Sequence, residues 1–170
     1  MPGLILLLAA ALYLLTFRPA PDGQVVGVAP PATRLAATRL ALPDLGGRTW
    51  TLDERRGKVV LVNYWATWCR PCRRETPGLV RLANQYRARG LEVVGISLDQ
   101  NGQDAVRWFV RRYRVPYPVL LPPSGSAVPR QIEAVPTTLL IDRQGRVAKT
   151  YVGAVSESTF RSDVESLLAE

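Results

Sequence analysis

The chain has 170 residues, of which 47% are hydrophobic and 21% charged, and its formal net charge is +8. These values fit one globular domain of ordinary size with an additional segment. The positive charge comes almost entirely from arginines spread over several predicted helices, which is typical of solvated helix faces. Attraction to anionic lipid head groups is the next interpretation, whereas nucleic acid is not a predicted partner because no nucleic-acid-binding motif is present.

Residues 1–17 are predicted to form a membrane anchor or a signal segment. The run from Leu4 to Phe17 is almost wholly apolar, although a spanning helix needs about 20 residues. A basic start and a nearby cleavage site are not evident, which favours an uncleaved anchor; a start further upstream would also explain the missing basic residues. Residues 18–37 contain four prolines among small residues and predict an extended linker. The folded domain is therefore expected over residues 38–170.

Two segments of alternating polarity open this domain. Residues 38–42 and 48–52 flank a turn that contains Gly46 and Gly47, a pattern that predicts a β-hairpin. Residues 58–63 follow as a largely β-branched, apolar run, which predicts a buried strand.

The only two cysteines of the chain, Cys69 and Cys72, lie where this strand is followed by a helical pattern. The free N–H groups and the dipole of a helix start stabilise a thiolate at Cys69. Pro71 suits the first helical turn because its missing N–H is not needed there. Cys72 lies one turn deeper, shielded from water and close enough to Cys69 for a disulfide. The pair therefore predicts a dithiol redox site in which Cys69 attacks and Cys72 resolves.

Three other uses exist for a cysteine pair of this spacing. A structural zinc site needs four ligands, and the chain has no histidine and no further cysteine. A Cu(I) carrier can use two thiolates alone, but no methionine or histidine flanks this pair. A purely structural disulfide around so small a loop removes little entropy from the unfolded chain. The redox interpretation is therefore favoured, and neither a metal nor a cofactor is predicted.

The pattern after the cysteines predicts a helix over residues 70–89. Pro77 removes one backbone hydrogen bond inside this helix and predicts a kink. The face expected to be buried consists of Cys72, Thr76, Leu79, Ala83 and Tyr86.

The remainder of the chain predicts alternating strands and helices. A strand, a helix and a second strand at this spacing form a parallel crossover, and Asp99 lies at the carboxyl end of the second strand. The predicted segments are strands over 91–98, 115–121 (an edge strand), 134–142 and 147–152, and helices over 103–113 and 157–168, the last with Ser156 or Ser158 as its cap.

The residues around the cysteines resemble the thioredoxin superfamily. Trp68-Cys69-Arg70-Pro71-Cys72 is similar to the thioredoxin active site, and the stretch from Val60 to Cys69 resembles the TlpA/ResA-like branch of membrane-anchored thiol–disulfide oxidoreductases. The likeness extends from about Leu40 to the C-terminus, and Pro77 has the offset of a kinking proline in this fold. The resemblance implies an α/β, thioredoxin-like three-layer fold with a central mixed β-sheet, an N-terminal β-hairpin extension and a helix–strand insertion.

The resemblance also implies roles for residues near the pair. Pro136 matches the cis-proline that faces the cysteines in this family, and the backbone of Val135 would then pair with an extended substrate chain. Trp68 is expected to present apolar surface to the substrate, the alternative being a place in the core. Arg70 is expected to favour the nucleophilic thiolate through its charge, while Pro71 resembles the reducing thioredoxin type.

Glu75 is the candidate acid or base of the site. Thioredoxins have a buried aspartate where this chain has Asn63, and an amide cannot carry a proton for Cys72. Glu75 lies one turn beyond Cys72 on the same helix face, where burial would raise the pKa of its carboxyl group. A matching glutamate occurs in the TlpA/ResA-like branch. The alternative is that Glu75 is a solvated partner of Arg74 or Arg81.

The function implied is thiol–disulfide exchange on the extracytoplasmic side of a membrane, with the chain acting as a reductant in cytochrome c maturation. The expected partners are a protein disulfide, including apocytochrome c, and a membrane thiol protein as electron donor. A general disulfide oxidase or isomerase is the alternative enzyme, and a binding module that holds apocytochrome or carries Cu(I) is the alternative outside enzymes. A peroxiredoxin is disfavoured because the chain lacks the Pro-x-x-x-Thr-x-x-Cys context of the peroxidatic cysteine.

Overall fold

The computed structural model describes residues 28–100, 102–126, 128 and 132–170. Its strands and helices alternate much as the sequence predicts. The strands are β1 (Leu35–Ala36), β2 (Ala41–Pro43), β3 (Thr49–Thr51), β4 (Val59–Trp65), β5 (Leu91–Ser97), β6 (Val119–Leu120), β7 (Thr137–Ile141) and β8 (Arg146–Val152), and the helices are α1 (Arg70–Tyr86), α2 (Gln103–Tyr113) and α3 (Glu157–Leu168).

A mixed six-stranded sheet forms the centre of the domain, with the strand order β1-β8-β7-β4-β5-β6. Strands β4, β5 and β6 are parallel, whereas β7, β8 and β1 each pair antiparallel with their neighbour. All seven residues of β4 are buried, because the strand lies between two partners and is covered on both faces. The thioredoxin-like α/β fold predicted from the sequence is confirmed.

Three apolar clusters fix the layers around this sheet. Helices α1 and α3 cover one face, and the two-stranded β2–β3 hairpin covers the other with Leu42, Trp50 and Leu52. The third cluster lies at the carboxyl end of β4 and β5 and contains both cysteines together with Val106 and Phe109 of α2. The two cysteines therefore pack against apolar side chains of α2.

Helix α1 has the predicted buried face. It begins after Cys69, passes through Pro77 without ending, and continues from Tyr86 as a single 3₁₀ turn over Arg87–Arg89. Gly90 then ends the turn with a positive φ of 101°, a conformation that glycine adopts without steric cost. All five predicted core positions of this helix are buried.

The folded domain includes residues that the sequence analysis assigned to the linker. Strand β1 pairs with β8, and the Arg34 side chain is buried with its Nη1 3.2 Å from Asp142 Oδ2 and its Nη2 2.6 Å from Glu170 Oε1. Residues 28–37 are thus part of the domain, and the predicted boundary at Thr38 was wrong because these contacts are made with residues more than 100 positions away.

Two further differences concern an edge strand and the N-terminus. The edge strand predicted over residues 115–121 is only two residues long, because Pro116 and Pro118 have no N–H to donate to a neighbouring strand. The predicted anchor over residues 1–17 and the first part of the predicted linker, residues 18–27, lie outside the described residues. Among the residues that are described, no helix has the length and apolar character needed to cross a membrane.

Candidate active site

Cys69 and Cys72 are joined by a disulfide at the start of α1. Cys69 is the N-cap residue, and its Sγ accepts a hydrogen bond from the Cys72 backbone N–H at 3.1 Å. This contact places the sulfur where the unpaired amides of a helix start stabilise negative charge. Both cysteines are buried in the disulfide form, Cys69 with 4% and Cys72 with 2% of its surface exposed.

The loop before β7 lies directly beside Cys69. The Val135–Pro136 peptide bond is cis, and the carbonyl oxygen of Val135 lies 3.6 Å from Cys69 Sγ. The hydroxyl of Thr137 donates to the carbonyl of Ala134 at 2.8 Å and closes the loop on the other side. The structure thus brings the two predicted substrate-binding residues, Val135 and Pro136, next to the sulfur predicted to attack.

Trp68 points into solvent, with 66% of its surface exposed, so its alternative placement in the core was wrong. Trp65, three residues earlier, is the core tryptophan, and its ring lies 4.3 Å from that of Phe109. Arg70 is exposed and Pro71 lies within the first two positions of α1. An exposed tryptophan next to a cysteine disulfide supplies apolar surface for contact with another molecule.

Glu75 is buried, with 7% of its surface exposed. Its Oε1 accepts a hydrogen bond from the Asn63 side-chain amide at 3.0 Å, and its Oε2 accepts one from the Val155 N–H at 2.8 Å. Burial raises the pKa of Glu75 to about 7, although these two hydrogen bonds partly oppose the effect. The alternative of a solvated ion pair was wrong, since Arg81 pairs with Glu157 instead.

Two groups of contacts were not predicted from the sequence. The first is the pair of donors to Glu75, because Val155 lies 80 positions away from it. The second is the contact of Thr67, which precedes Trp68, with Asp99 at the end of β5. The only sequence signal for the second contact was the position of Asp99 at the carboxyl end of a parallel strand, where loops from neighbouring strands meet.

Comparisons with known proteins agree with this geometry. Residues 34–151 match the AhpC/TSA family. The thiol–disulfide oxidoreductase ResA of Halalkalibacterium halodurans is 30% identical over 135 residues, which cover 79% of this chain and 76% of the relative. ResA of Bacillus subtilis (strain 168) is 32% identical over 123 residues, which cover 72% of this chain and 68% of the relative.

Solved structures resemble this chain over most of its length. A secreted thiol-disulfide isomerase from Corynebacterium glutamicum superimposes with a TM-score of 0.77 at 26% identity, covering 91% of this chain and 97% of the other. A thiol:disulfide interchange protein from Chlorobium tepidum TLS superimposes with a TM-score of 0.71 at 27% identity, covering 82% and 99%. With its Cys-x-x-Cys pair in the same fold, this chain belongs to the AhpC/TSA family and is a thiol–disulfide oxidoreductase.

Proposed function

We propose that this oxidoreductase acts as a reductant outside the cytoplasm, where its Cys69–Cys72 dithiol reduces disulfides in partner proteins, among them apocytochrome c before haem attachment. The observation that carries this proposal is the 3.6 Å separation between Cys69 Sγ and the Val135 carbonyl oxygen. A client chain that pairs with this backbone as an added strand brings its own disulfide against the attacking sulfur. The exposed Trp68 ring beside it supplies apolar contact area.

The exchange begins when the Cys69 thiolate attacks one sulfur of the client disulfide. A mixed disulfide forms, and the other client sulfur leaves as a thiolate that takes up a proton from water. Glu75 then accepts the proton of the Cys72 thiol, and the Cys72 thiolate attacks the Cys69 sulfur. The second client sulfur leaves as a thiolate, so two electrons have passed to the client and the chain carries the disulfide.

Glu75 fits the step in which the Cys72 thiol loses its proton, because the buried Cys72 cannot transfer that proton directly to solvent water. At 2% exposure the Cys72 thiol must give its proton to a protein group, and Glu75 lies one helical turn away on the same face. A carboxyl group with a pKa of about 7 is matched to proton transfer near neutral pH. The buried thiol and the buried carboxyl therefore form the proton-transfer pair of the proposed release step.

The location and the electron donor are part of the same proposal. The apolar residues 4–17 anchor the domain to the membrane, and a membrane-bound dithiol protein returns the Cys69–Cys72 disulfide to the dithiol. An extracytoplasmic setting is supported by the resemblance to a secreted relative from Corynebacterium glutamicum. It is also the setting in which client disulfides persist.

The direction of exchange is tested with the reduced full-length chain and a client peptide that contains a disulfide within Cys-x-x-Cys-His, the haem-attachment motif. We expect stoichiometric reduction of the peptide by the wild type, none by Cys69→Ser, and a midpoint potential at or below about −230 mV. Faster oxidation of the peptide dithiol by the disulfide form identifies an oxidase. Peptide binding without any transfer identifies a binding module.

The client is identified by trapping in cells. Cys72→Ser cannot resolve the mixed disulfide, so clients remain attached to Cys69 and can be isolated under non-reducing conditions. We expect apocytochrome c among the trapped proteins and none with the Cys69→Ser/Cys72→Ser control. Exclusive trapping of cytoplasmic proteins contradicts the proposed location.

A further inference from the structure

The carboxylate of Asp99, two residues after β5, accepts hydrogen bonds from three donors. The Thr67 hydroxyl donates to Oδ1 at 2.5 Å, the Thr67 N–H donates to Oδ2 at 3.0 Å, and the Ser97 hydroxyl donates to Oδ2 at 2.7 Å. An ionised carboxylate accepts at both oxygens, so it satisfies the Thr67 N–H and both hydroxyls as donors at the same time. An amide has one acceptor oxygen, so it would keep the Thr67 N–H contact only if one of the hydroxyls turned a lone pair toward the N–H₂ group.

Thr67 also accepts a hydrogen bond from the first turn of α1. Its carbonyl oxygen accepts a hydrogen bond from Arg73 Nε at 2.8 Å, and the Arg73 backbone N–H donates to the Cys69 carbonyl at 3.2 Å. The N–H and the hydroxyl of Thr67 are therefore bonded to Asp99, and its carbonyl is bonded to Arg73 in the first turn of α1. We call the contacts between Thr67 and Asp99 the Thr67–Asp99 clamp.

The clamp lies in the turn that carries the reactive sulfur. The Cys69 N–H donates to the Ala66 carbonyl at 3.2 Å, so residues 66–69 form a tight turn with Thr67 and Trp68 in its middle. Ala66 is fully buried, whereas Trp68 is mostly exposed. Thr67 therefore links this turn by hydrogen bonds to the segment that follows β5.

We propose that Asp99 is a positioning residue for thiol–disulfide exchange. Acting through Thr67, it fixes residues 66–69 so that the Cys69 sulfur remains at the N-terminus of α1 and the Trp68 ring faces the client. This inference requires Cys69 to be the attacking thiol, as in the proposed function, but it does not depend on which client is reduced.

The sign of the change in the Cys69 pKa distinguishes positioning from a simple charge effect. If Asp99 acted only as a nearby negative charge, Asp99→Asn would lower the pKa of the Cys69 thiol, because the thiolate would lose a repelling neighbour. Loss of the clamp acts in the opposite direction, because a displaced sulfur loses the hydrogen bond from the Cys72 N–H and the helix-terminal stabilisation. Positioning therefore predicts a rise in the Cys69 pKa.

The measurement is the pH dependence of Cys69 alkylation in the full-length Cys72→Ser chain, where Cys69 is the only thiol. We expect Thr67→Val to raise the pKa by about half to one unit, since one N-cap contact corresponds to about a fivefold effect on the equilibrium. Asp99→Asn should raise it by less, because the lost negative charge acts in the opposite direction. Thr67→Ser keeps both donors and should match the parent. With Cys72 restored, kcat/KM for peptide reduction should fall about fivefold to tenfold in the first two variants.

Asp44→Asn is the matched control for loss of a turn-capping carboxylate. Asp44 accepts the N–H groups of Gly46 and Arg48 in the β2–β3 turn, so this variant makes the same chemical change without touching residues 66–69. We expect it to leave the Cys69 pKa unchanged. Thermal unfolding of every variant separates a general loss of stability from the local effect, and Thr67→Val supplies the test if Asp99→Asn does not fold.

A double variant completes the test. Because Asp99 acts through Thr67, the Asp99→Asn/Thr67→Val chain should show no more than the Thr67→Val effect, which is a non-additive result. A lowered pKa in Asp99→Asn, an unchanged pKa in Thr67→Val, or additive effects would overturn the proposal. A wild type that fails to reduce the peptide while its variants shift the Cys69 pKa refutes the client assignment alone.

Discussion

Two buried carboxyl groups, Glu75 and Asp142, lie near opposite ends of the β4–β7 strand pair, and their pKa values are shifted in opposite directions. Glu75 contacts Asn63 near the carboxyl end of β4, whereas Asp142 follows β7 at the other end of that pairing. Their exposed fractions are similar, 7% and 2%. Burial raises the pKa of Glu75 to about 7, yet the pKa of Asp142 lies below its ordinary value.

The difference lies in the partners rather than in the depth of burial. Burial alone would raise the pKa of Asp142, but the Arg146 N–H and the guanidinium groups of Arg34 and Arg146 more than offset it. Among the described residues, Glu75 accepts hydrogen bonds only from the neutral donors of Asn63 and Val155. A buried carboxylate that meets arginines stays ionised and ties segments together, whereas one that meets only neutral donors is left able to exchange a proton.

The largest expected effect on stability comes from removing the carboxylate of Asp142. Asp142→Ala leaves the Arg34 guanidinium buried without one of its two carboxylates and leaves the turn N–H groups of Gln144 and Arg146 without their acceptor. We expect the free energy of unfolding to fall by about 3–5 kcal/mol in urea denaturation.

Glu170→Gln is the control for this variant. The Glu170 side chain is 38% exposed, so this substitution should lower the free energy of unfolding by about 1 kcal/mol or less. The pH profile of Cys69 alkylation should be the same in both variants. A loss below 1 kcal/mol for Asp142→Ala would show that the ion pairs of Asp142 contribute little to the stability of the domain.

The second prediction concerns the pH dependence of stability. Glu75 has a folded-state pKa of about 7, above the ordinary value of 4.5, so the folded state favours its protonated form. The stability it contributes is complete below pH 4.5 and is lost as the pH rises to about 7, up to about 3 kcal/mol. Asp142 has the opposite sense, since its contribution is present above pH 3.8 and is lost as the pH falls through its lowered pKa.

Urea denaturation of the disulfide form between pH 4 and pH 8 measures this effect. We expect Glu75→Gln to remove the decline between pH 4.5 and 7, while Glu133→Gln, a change at an exposed residue, leaves it in place. A decline of the same size in Glu75→Gln would assign it to another group.

The local parts of this structure could be predicted from the sequence. Strand β4 and the buried face of α1 depend on periodicity within a few residues, and the chemistry of the Cys69–Cys72 pair depends on the two residues between them. The position of Glu75 relative to Cys72 follows from helical spacing alone. These features need no knowledge of distant contacts.

The parts that could not be predicted depend on partners from distant segments. Arg34 looks like an ordinary linker arginine until Asp142 and Glu170 are placed beside it. Periodicity does not identify which carboxylate receives arginines and which receives amides. The Thr67–Asp99 clamp was not predicted for the same reason, since its two residues are 32 positions apart.

The third prediction concerns the role of Glu75 in proton transfer. Glu75→Gln cannot accept the Cys72 proton, so the release of client from the Cys69 mixed disulfide should slow by about a hundredfold near pH 7, the lower end of general acid–base contributions. The rate is followed by rapid mixing of the reduced chain with a fluorescent disulfide peptide. The first step, attack by Cys69, should keep its rate. Equal release rates and pH profiles in wild type and Glu75→Gln would remove Glu75 from the mechanism.

The smallest expected effect comes from changing one donor of Glu75. Asn63→Asp replaces an amide that donates to Glu75 with a second carboxyl group, so the two acids share one site and the apparent pKa of the release step should rise by about one unit. Asn63→Leu removes the same donor without adding charge and should raise that pKa by less. If the release step keeps its pKa in both variants, the neutral donors are not what sets the protonation of Glu75. In that case the arginines bound to Asp142, rather than the neutral donors bound to Glu75, separate the two carboxyl groups.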